Sequence, residues 1–289
     1  MELVVLIGVV GNILSVVGVV MLNKHLVQND SFNFMIFISF CHFVFTTIGS
    51  RVLLKLGAFQ YKEASIGNVL PVALGSLGSV AFMNLNLSYN SVGFYQISKL
   101  ACIPVTIVLQ AAFYNQHVPV GVLLTLIPIL VGMSIATVYD VQLNFLGSVY
   151  AACGVICTVG AQIFTNTYQK SLGCNALQLL YHTSPLIAAG MLLLLPLFDS
   201  VAELRGATLT AGGAGRLLLS CVFALGVNIS NYLVLGKTSP LTYQATDSRN
   251  ILGIAIALLG VIAYTEAKRK QSSALQSSPQ ILPSKKQEV

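Results

Sequence analysis

Tyr95, Lys99, Thr106 and Gln110 fall on one face of an otherwise apolar stretch when it is wound as a helix. The telling member is Lys99. An ammonium inside a membrane span costs a few kcal/mol unless it faces a bundle interior, water or an anionic partner. The alternative is a lysine near enough to the helix end to snorkel to the headgroups. Hydroxyl, ammonium and amide groups in one stripe suit a phosphate-bearing sugar, which needs charge neutralisation and several hydrogen bonds. Gln96 stands beside Tyr95 in the same turn.

A second polar group, Asn228, Asn231 and Tyr232, lies on one side of a later apolar run. These groups suit a base or sugar, and they equally suit hydrogen bonding between helices in lipid. Asn23 and Lys24 close the first apolar run, where they are either part of a site or an interfacial anchor. Asn84, Asn86, Gln162 and Asn166 are weaker candidates of the same kind, and His42 and His182 read as satisfied polar groups. No span carries an acidic residue away from its ends, which argues against proton or sodium coupling and for exchange of one anion for another. The cysteines sit mostly in apolar runs without CxxC spacing or histidine partners, so they read as packing groups, with no metal site and no cofactor expected. Phosphate-binding glycine loops are absent, which leaves no ATP-driven mechanism, and no nucleophile, base and orienting group assemble into an enzyme site.

The elements that must hold these groups are membrane helices. Hydrophobic residues make up 55% of the 289 positions, charged residues 8%, and mean hydropathy is +0.81. Soluble domains carry about a quarter charged residues, so lipid is the solvent for most of this chain. The net charge of +6 is scattered, apart from Lys268 to Lys270 after the last apolar run, and nucleic acid is not an expected partner. Spans of about 20 apolar residues are predicted at Leu3–Leu22, Phe32–Leu56, Gly67–Leu87, Gly93–Phe113, Val118–Val138, Phe145–Thr165, Leu177–Leu197, Gly215–Leu235 and Ile251–Thr265. The first reads as a retained span, and residues 268–289 as a disordered tail.

The spans carry traces of an inverted repeat. Ser91, Tyr95 and Gln96 recur at identical spacing as Ser239, Tyr243 and Gln244, and Leu130-Val-Gly132 has its echo in Leu258-Leu-Gly260. Gln96 leads into a full helix before the closing one, whereas Gln244 is followed almost at once by the closing helix. The expected plan is therefore an all-α polytopic membrane protein of about nine helices, derived from a ten-helix fold of five plus five. Residues 1–140 form the first repeat, and residues 141–267 form the second without its fourth helix.

Asn23-Lys24, the run Asn90-Ser-Val-Gly-Phe-Tyr-Gln-Ile-Ser-Lys99, Tyr139-Asp140, Asn144-Phe-Leu-Gly147, Gln178-Leu-Leu-Tyr181 with Pro185, and Thr238-Ser-Pro-Leu-Thr-Tyr243 resemble the solute carrier 35 and triose-phosphate translocator group, most closely its E-type nucleotide-sugar branch. In that family the last element opens a ninth helix bearing a second lysine. Here no lysine lies between Lys237 and Lys268, in agreement with the shortened second half.

The resemblance implies a nucleotide-sugar or sugar-phosphate antiporter of the Golgi or endoplasmic reticulum membrane, rocking two halves about a midplane site. The expected substrate-binding residues are Lys99, Tyr95, Gln96, Thr106, Asn228, Asn231, Tyr232, Asn23 and Lys24. Its expected partners are the anionic substrate, membrane lipid and, as an open alternative, a second copy in a homodimer. The rival expectation is a non-transporting protein that binds or regulates full-length siblings, because half of the cationic site is missing. Arg51, Lys55 and Lys62 make the second loop the most basic before the tail, which puts that loop and the N-terminus in the cytosol.

Overall fold

The computed structural model describes residues 3–115 and 144–241. They form α1 (Leu3–Gln28), α2 (Met35–Lys55), α3 (Ile66–Tyr89), α4 (Val92–Tyr114), α5 (Phe145–Leu172), α6 (Ala176–Phe198), the short α7 (Val201–Gly206) and α8 (Ala211–Lys237). Seven of these helices are long and apolar enough to cross a membrane, and the described residues contain no strand. The chain is an all-α polytopic membrane protein. The expected spans Val118–Val138 and Ile251–Thr265, and the junction at Gln244, lie outside the described residues.

Polar caps fix several helix ends, and α5 runs on to Leu172, past the predicted Thr165. The Asn144 side chain accepts from Gly147 N to open α5, and Gly173 ends that helix in the left-handed conformation at φ 57°. Asn175 and Gln178 form a reciprocal capping box at the start of α6. α1 likewise continues to Gln28, so Asn23, expected at a helix end, lies inside the helix. The α7 turn was not legible as a span; Ser200 caps it through Glu203 N.

Packing is antiparallel and paired: α1 lies on α8, α3 on α5 and α2 on α6, with α4 against α5. Small residues set the closest approaches. A Cβ on Gly75 would stand 3.1 Å from the backbone of Ala161, and one on Gly18 would stand 2.7 Å from the Phe223 ring. The row Gly8, Gly11, Ser15, Gly18 on α1 has the spacing of Ala151, Gly154, Thr158, Ala161 on α5. In the register set by Ser91 and Ser239, Gly75 corresponds to Phe223 and Gly78 to Gly226. Thus Ala161 meets Gly75 where Gly18 meets Phe223, and Thr158 bonds Ser79 at 2.6 Å where Ser15 abuts Gly226. That register also carries Asn84, whose Nδ2 donates to Ser39 Oγ on α2 at 3.2 Å, onto Tyr232, whose hydroxyl bonds Thr183 on α6 at 2.9 Å.

Corner contacts secure both ends of the bundle. On the near face, where α1 begins, Lys62 Nζ donates to the carbonyls of Leu172 and Gly173 at 2.7 and 3.0 Å, and Gln178 Nε2 donates to Gln60 O at 2.8 Å. On the far face, where α1 ends, Arg216 binds Asp30, and Phe37 N donates to Asp199 at 2.8 Å. There Leu26, Phe32, Phe34 and Ile38 form a buried apolar plug with Leu204, Leu209 and Leu217 beside it.

Candidate functional site

α4 presents Lys99 on its packed side. Ile103, Thr106 and Gln110 share that face and are buried, Thr106 to 0% exposure, whereas Pro104 and Val108 on the opposite face are exposed. Lys99 is nevertheless exposed. Its exposure thus falls on the same side of α4 as the buried Ile103, Thr106 and Gln110. Its Nζ stands 4.8 Å from the centroid of the Tyr95 ring, a cation–π arrangement that holds the ammonium two turns inside the helix. Tyr95 is itself packed against Met83, Cys102, Val155, Val159 and Ile163, which fixes its ring. Pro104 cannot donate to the carbonyl of Leu100, so the α4 backbone ladder is interrupted one residue past Lys99. Gln96 belongs to the same helix, and its side chain lies outside the described set.

The second predicted group is brought together differently. Asn228 Nδ2 donates to Thr46 Oγ1 at 3.1 Å, Asn231 Oδ1 accepts from Asn12 Nδ2 at 2.6 Å, and buried Tyr232 bonds Thr183. Each of the three thus joins α8 to a different neighbour, α2, α1 and α6. His42 continues this line, its Nε2 at 3.0 Å from Ser220 Oγ across α2 and α8. α8 is the polar hub of the bundle. Asn12 went unremarked in the sequence, although an amide in the glycine row of α1 was the signal for it. Of the remaining candidates, Asn23 is half-buried with a buried Oδ1 that has no hydrogen-bond partner, while Lys24 is exposed near the end of α1. His182 bonds the Lys62 carbonyl at 2.8 Å and packs edge-on against Tyr181 and tilted against Tyr61 at the near face. Among the described residues, no group of His, Cys, Asp and Glu could hold a metal.

Among the described residues, charge is distributed unequally between the ends. The near face carries Arg51, Lys55, Lys62, Lys170 and Lys237 against Glu63, whereas on the far face Lys24, Arg205 and Arg216 are matched by Asp30, Asp199 and Glu203.

A bundle of paired apolar helices with a lysine two turns inside α4 has a known counterpart in sequence. The profile of the Triose-phosphate Transporter family matches residues 4–259. The chain belongs to that family. Among its relatives, UDP-xylose transporter 1 of Arabidopsis thaliana is 35% identical, with 92% of this chain and 87% of the relative covered. UDP-xylose transporter 3 of the same plant is 33% identical over 303 positions, covering 95% of this chain and 85% of the relative. UDP-rhamnose/UDP-galactose transporter 1 is 32% identical, covering 89% and 81%. The relatives of this triose-phosphate transporter family member are transporters and not enzymes. The 303 positions exceed the 289 residues of the chain, so the alignment opens gaps on this chain's side.

Proposed function

We propose that this chain has the scaffold of a nucleotide-sugar antiporter of the Golgi or endoplasmic reticulum membrane, with Lys99 supplying the positive charge of a central site. The observation that carries the reading is the exposure of Lys99 on the packed face of α4. A lysine there is stable only beside water or an anion. A UDP-sugar brings a diphosphate to pair with the ammonium, and Tyr95, Gln96, Thr106 and Gln110 on the same helix offer hydrogen bonds to the rest. Asn23, Lys24, Asn228, Asn231 and Tyr232 join the proposed site as second-rank members, since three of them already bond between helices. The relatives named for UDP-xylose, UDP-rhamnose and UDP-galactose support a uridine diphosphate sugar as the substrate class.

The partner exchange between α1 with α8 and α3 with α5 supports two inverted halves related by an axis in the membrane plane. The near-face excess of Lys and Arg supports a cytosolic near face. Purified protein should be stabilised against heat by a UDP-sugar, by RT ln(1 + [L]/Kd), and Lys99→Ala should remove the shift. Retention of the shift by that variant would show that the charge lies elsewhere.

A second reading is motivated by the alignment gaps and by the expectation that the second half lacks one helix: the chain is a non-transporting membrane protein that binds or regulates full-length siblings. Radiolabelled exchange in proteoliposomes, side by side with a ten-helix relative, separates the two. A comparable rate removes the second reading, and binding without exchange removes the first.

A further inference from the structure

Arg51 lies on the outward face of α2, one turn before that helix ends at Lys55. Ile48, Arg51, Val52 and Lys55 are all exposed and fall within an arc of about 100°. The other side of the same turns is packed: Thr46, Thr47 and Ser50 are buried, and Thr46 bonds Asn228 on α8. The exposed arc is therefore a side of α2 that no described helix covers. Ile48 and Val52, 55% and 48% exposed, begin an apolar stripe along it, and half-buried Phe45 and Cys41 continue that stripe toward the bilayer centre. The two cations stand at its near-face end.

The other near-face cations have local duties. Lys62 is spent on the carbonyls of Leu172 and Gly173. Lys170 and Lys237 stand in the last turns of α5 and α8, where a positive charge meets the carbonyl end of its own helix, and Lys55 does the same for α2. Arg51 precedes the last turn, and the effect of a helix end fades beyond that turn. Neither Arg51 nor Lys55 makes a hydrogen bond or an ion pair with a described residue, whereas far-face Arg216 is held by Asp30. An arginine about 6 Å deeper than the helix end, with a second cation one turn above it and no described carboxylate in reach, calls for an anion from outside the chain.

We propose that Arg51 and Lys55 form a binding site for one anionic phospholipid on the outer face of α2. Their spacing of four residues puts the two Cβ atoms about 5–6 Å apart, so one phosphate reaches both side chains. The planar guanidinium takes two phosphate oxygens, and the ammonium pairs with the remaining charge. One acyl chain lies along Val52, Ile48 and Phe45. The headgroup must carry net negative charge, because a choline headgroup would set its own cation against the pair. A lipid held here fixes the depth of α2, whose other face carries the His42 and Thr46 bonds to α8. The site stands apart from the transport reading and is tested without substrate.

The test is native mass spectrometry of the full chain in detergent, titrated with dioleoyl phosphatidylserine or dioleoyl phosphatidylcholine. The parent should retain phosphatidylserine in preference to phosphatidylcholine. Arg51→Gln combined with Lys55→Gln should lower phosphatidylserine retention at least about fivefold, as loss of two basic contacts requires. Lys170→Gln combined with Lys237→Gln removes the same charge from the same face and should change retention by less than about twofold. Arg51→Lys keeps the charge without the planar fork; it should fall between parent and the first double variant, and it serves where that variant is not monodisperse. Equal losses in the two double variants would reveal diffuse surface attraction and overturn the site, as would a parent with no preference between the lipids. Glycerophosphoserine, the headgroup without its chains, should not displace the bound lipid at equal concentration. Displacement by it would also overturn the site, since the apolar stripe would then contribute nothing.

Discussion

The Arg216 guanidinium at the start of α8 grips Asp30 in the α1 to α2 turn, with Nε 2.9 Å from Oδ2 and a second bond from the other nitrogen to Oδ1. This bidentate pair, with His25 at 3.8 Å, is the charged latch of the far face. The hydrogen bond from Arg216 holds the Asp30 carboxyl below its ordinary value of 3.8, and the charges of Arg216 and His25 add to it. A carboxyl lowered in the folded state adds stability that is present above the ordinary value and is lost as pH falls below it. Thermal unfolding in detergent should therefore weaken between about pH 4 and lower values, and Asp30→Asn should flatten that part of the profile. An identical acid limb in both proteins would show that another group controls it.

Gly75 should be intolerant of any larger residue. Its missing Cβ is what lets α3 lie on the backbone of Ala161, and backbone cannot move aside as a side-chain tip can. Gly75→Val should cost about 1–3 kcal/mol by overpacking, read as a lowered unfolding temperature in lipid nanodiscs. Gly11, on the same kind of row but facing open space, is the control: Gly11→Ala should leave the unfolding temperature near that of the parent.

Much of this architecture was legible because lipid imposes few choices. The composition dictates helices, the apolar windows locate them, and the rows on α1 and α5 show which faces meet. The Lys99 stripe was legible for the same reason, since a cation in a span has few places to go. The partners of Asn228, Asn231 and Tyr232 were not. An amide that reads a ligand and an amide that joins two helices have the same residue type and the same helical spacing. Only the positions of Thr46, Asn12 and Thr183 on other helices distinguish them, and no local pattern encodes those distances. The starts at Asn144 and Asn175 were legible from their caps, whereas the ends of α1 and α5 were misjudged, since polar residues carry those helices on to Gln28 and Leu172 past the predicted Leu22 and Thr165.

The hub on α8 makes a graded prediction. Tyr232→Phe removes one hydroxyl and its bond to Thr183, which retains its bond to the Leu179 carbonyl. The cost should be near the average for membrane interhelical bonds, about 0.6 kcal/mol. Asn12→Leu should cost more, because Asn12 Nδ2 serves both Ser230 and Asn231, and its loss leaves buried polar groups on α8 to find other partners. Unfolding in mixed micelles with a denaturing detergent gives the order, and equal destabilisation by both would show that α8 is not held through Asn12.

Lys99 gives the last and sharpest prediction. If its ammonium were a headgroup anchor, Lys99→Gln and Lys99→Arg would both be tolerated, because either side chain can reach polar surroundings from two turns inside α4. If it neutralises a diphosphate, charge is what matters, and the two variants must part. Lys99→Arg retains charge and the stacking on Tyr95, and should keep a measurable UDP-sugar stabilisation with altered affinity. Lys99→Gln keeps length and hydrogen bonding without charge, and should weaken binding at least about tenfold, the loss of a charge-assisted bond. Binding measured at two ionic strengths adds an independent check. Added salt should weaken the parent more than the glutamine variant if a phosphate charge is read at this position. Equal affinities for parent and Lys99→Gln would remove Lys99 from the site and return it to a structural role on α4.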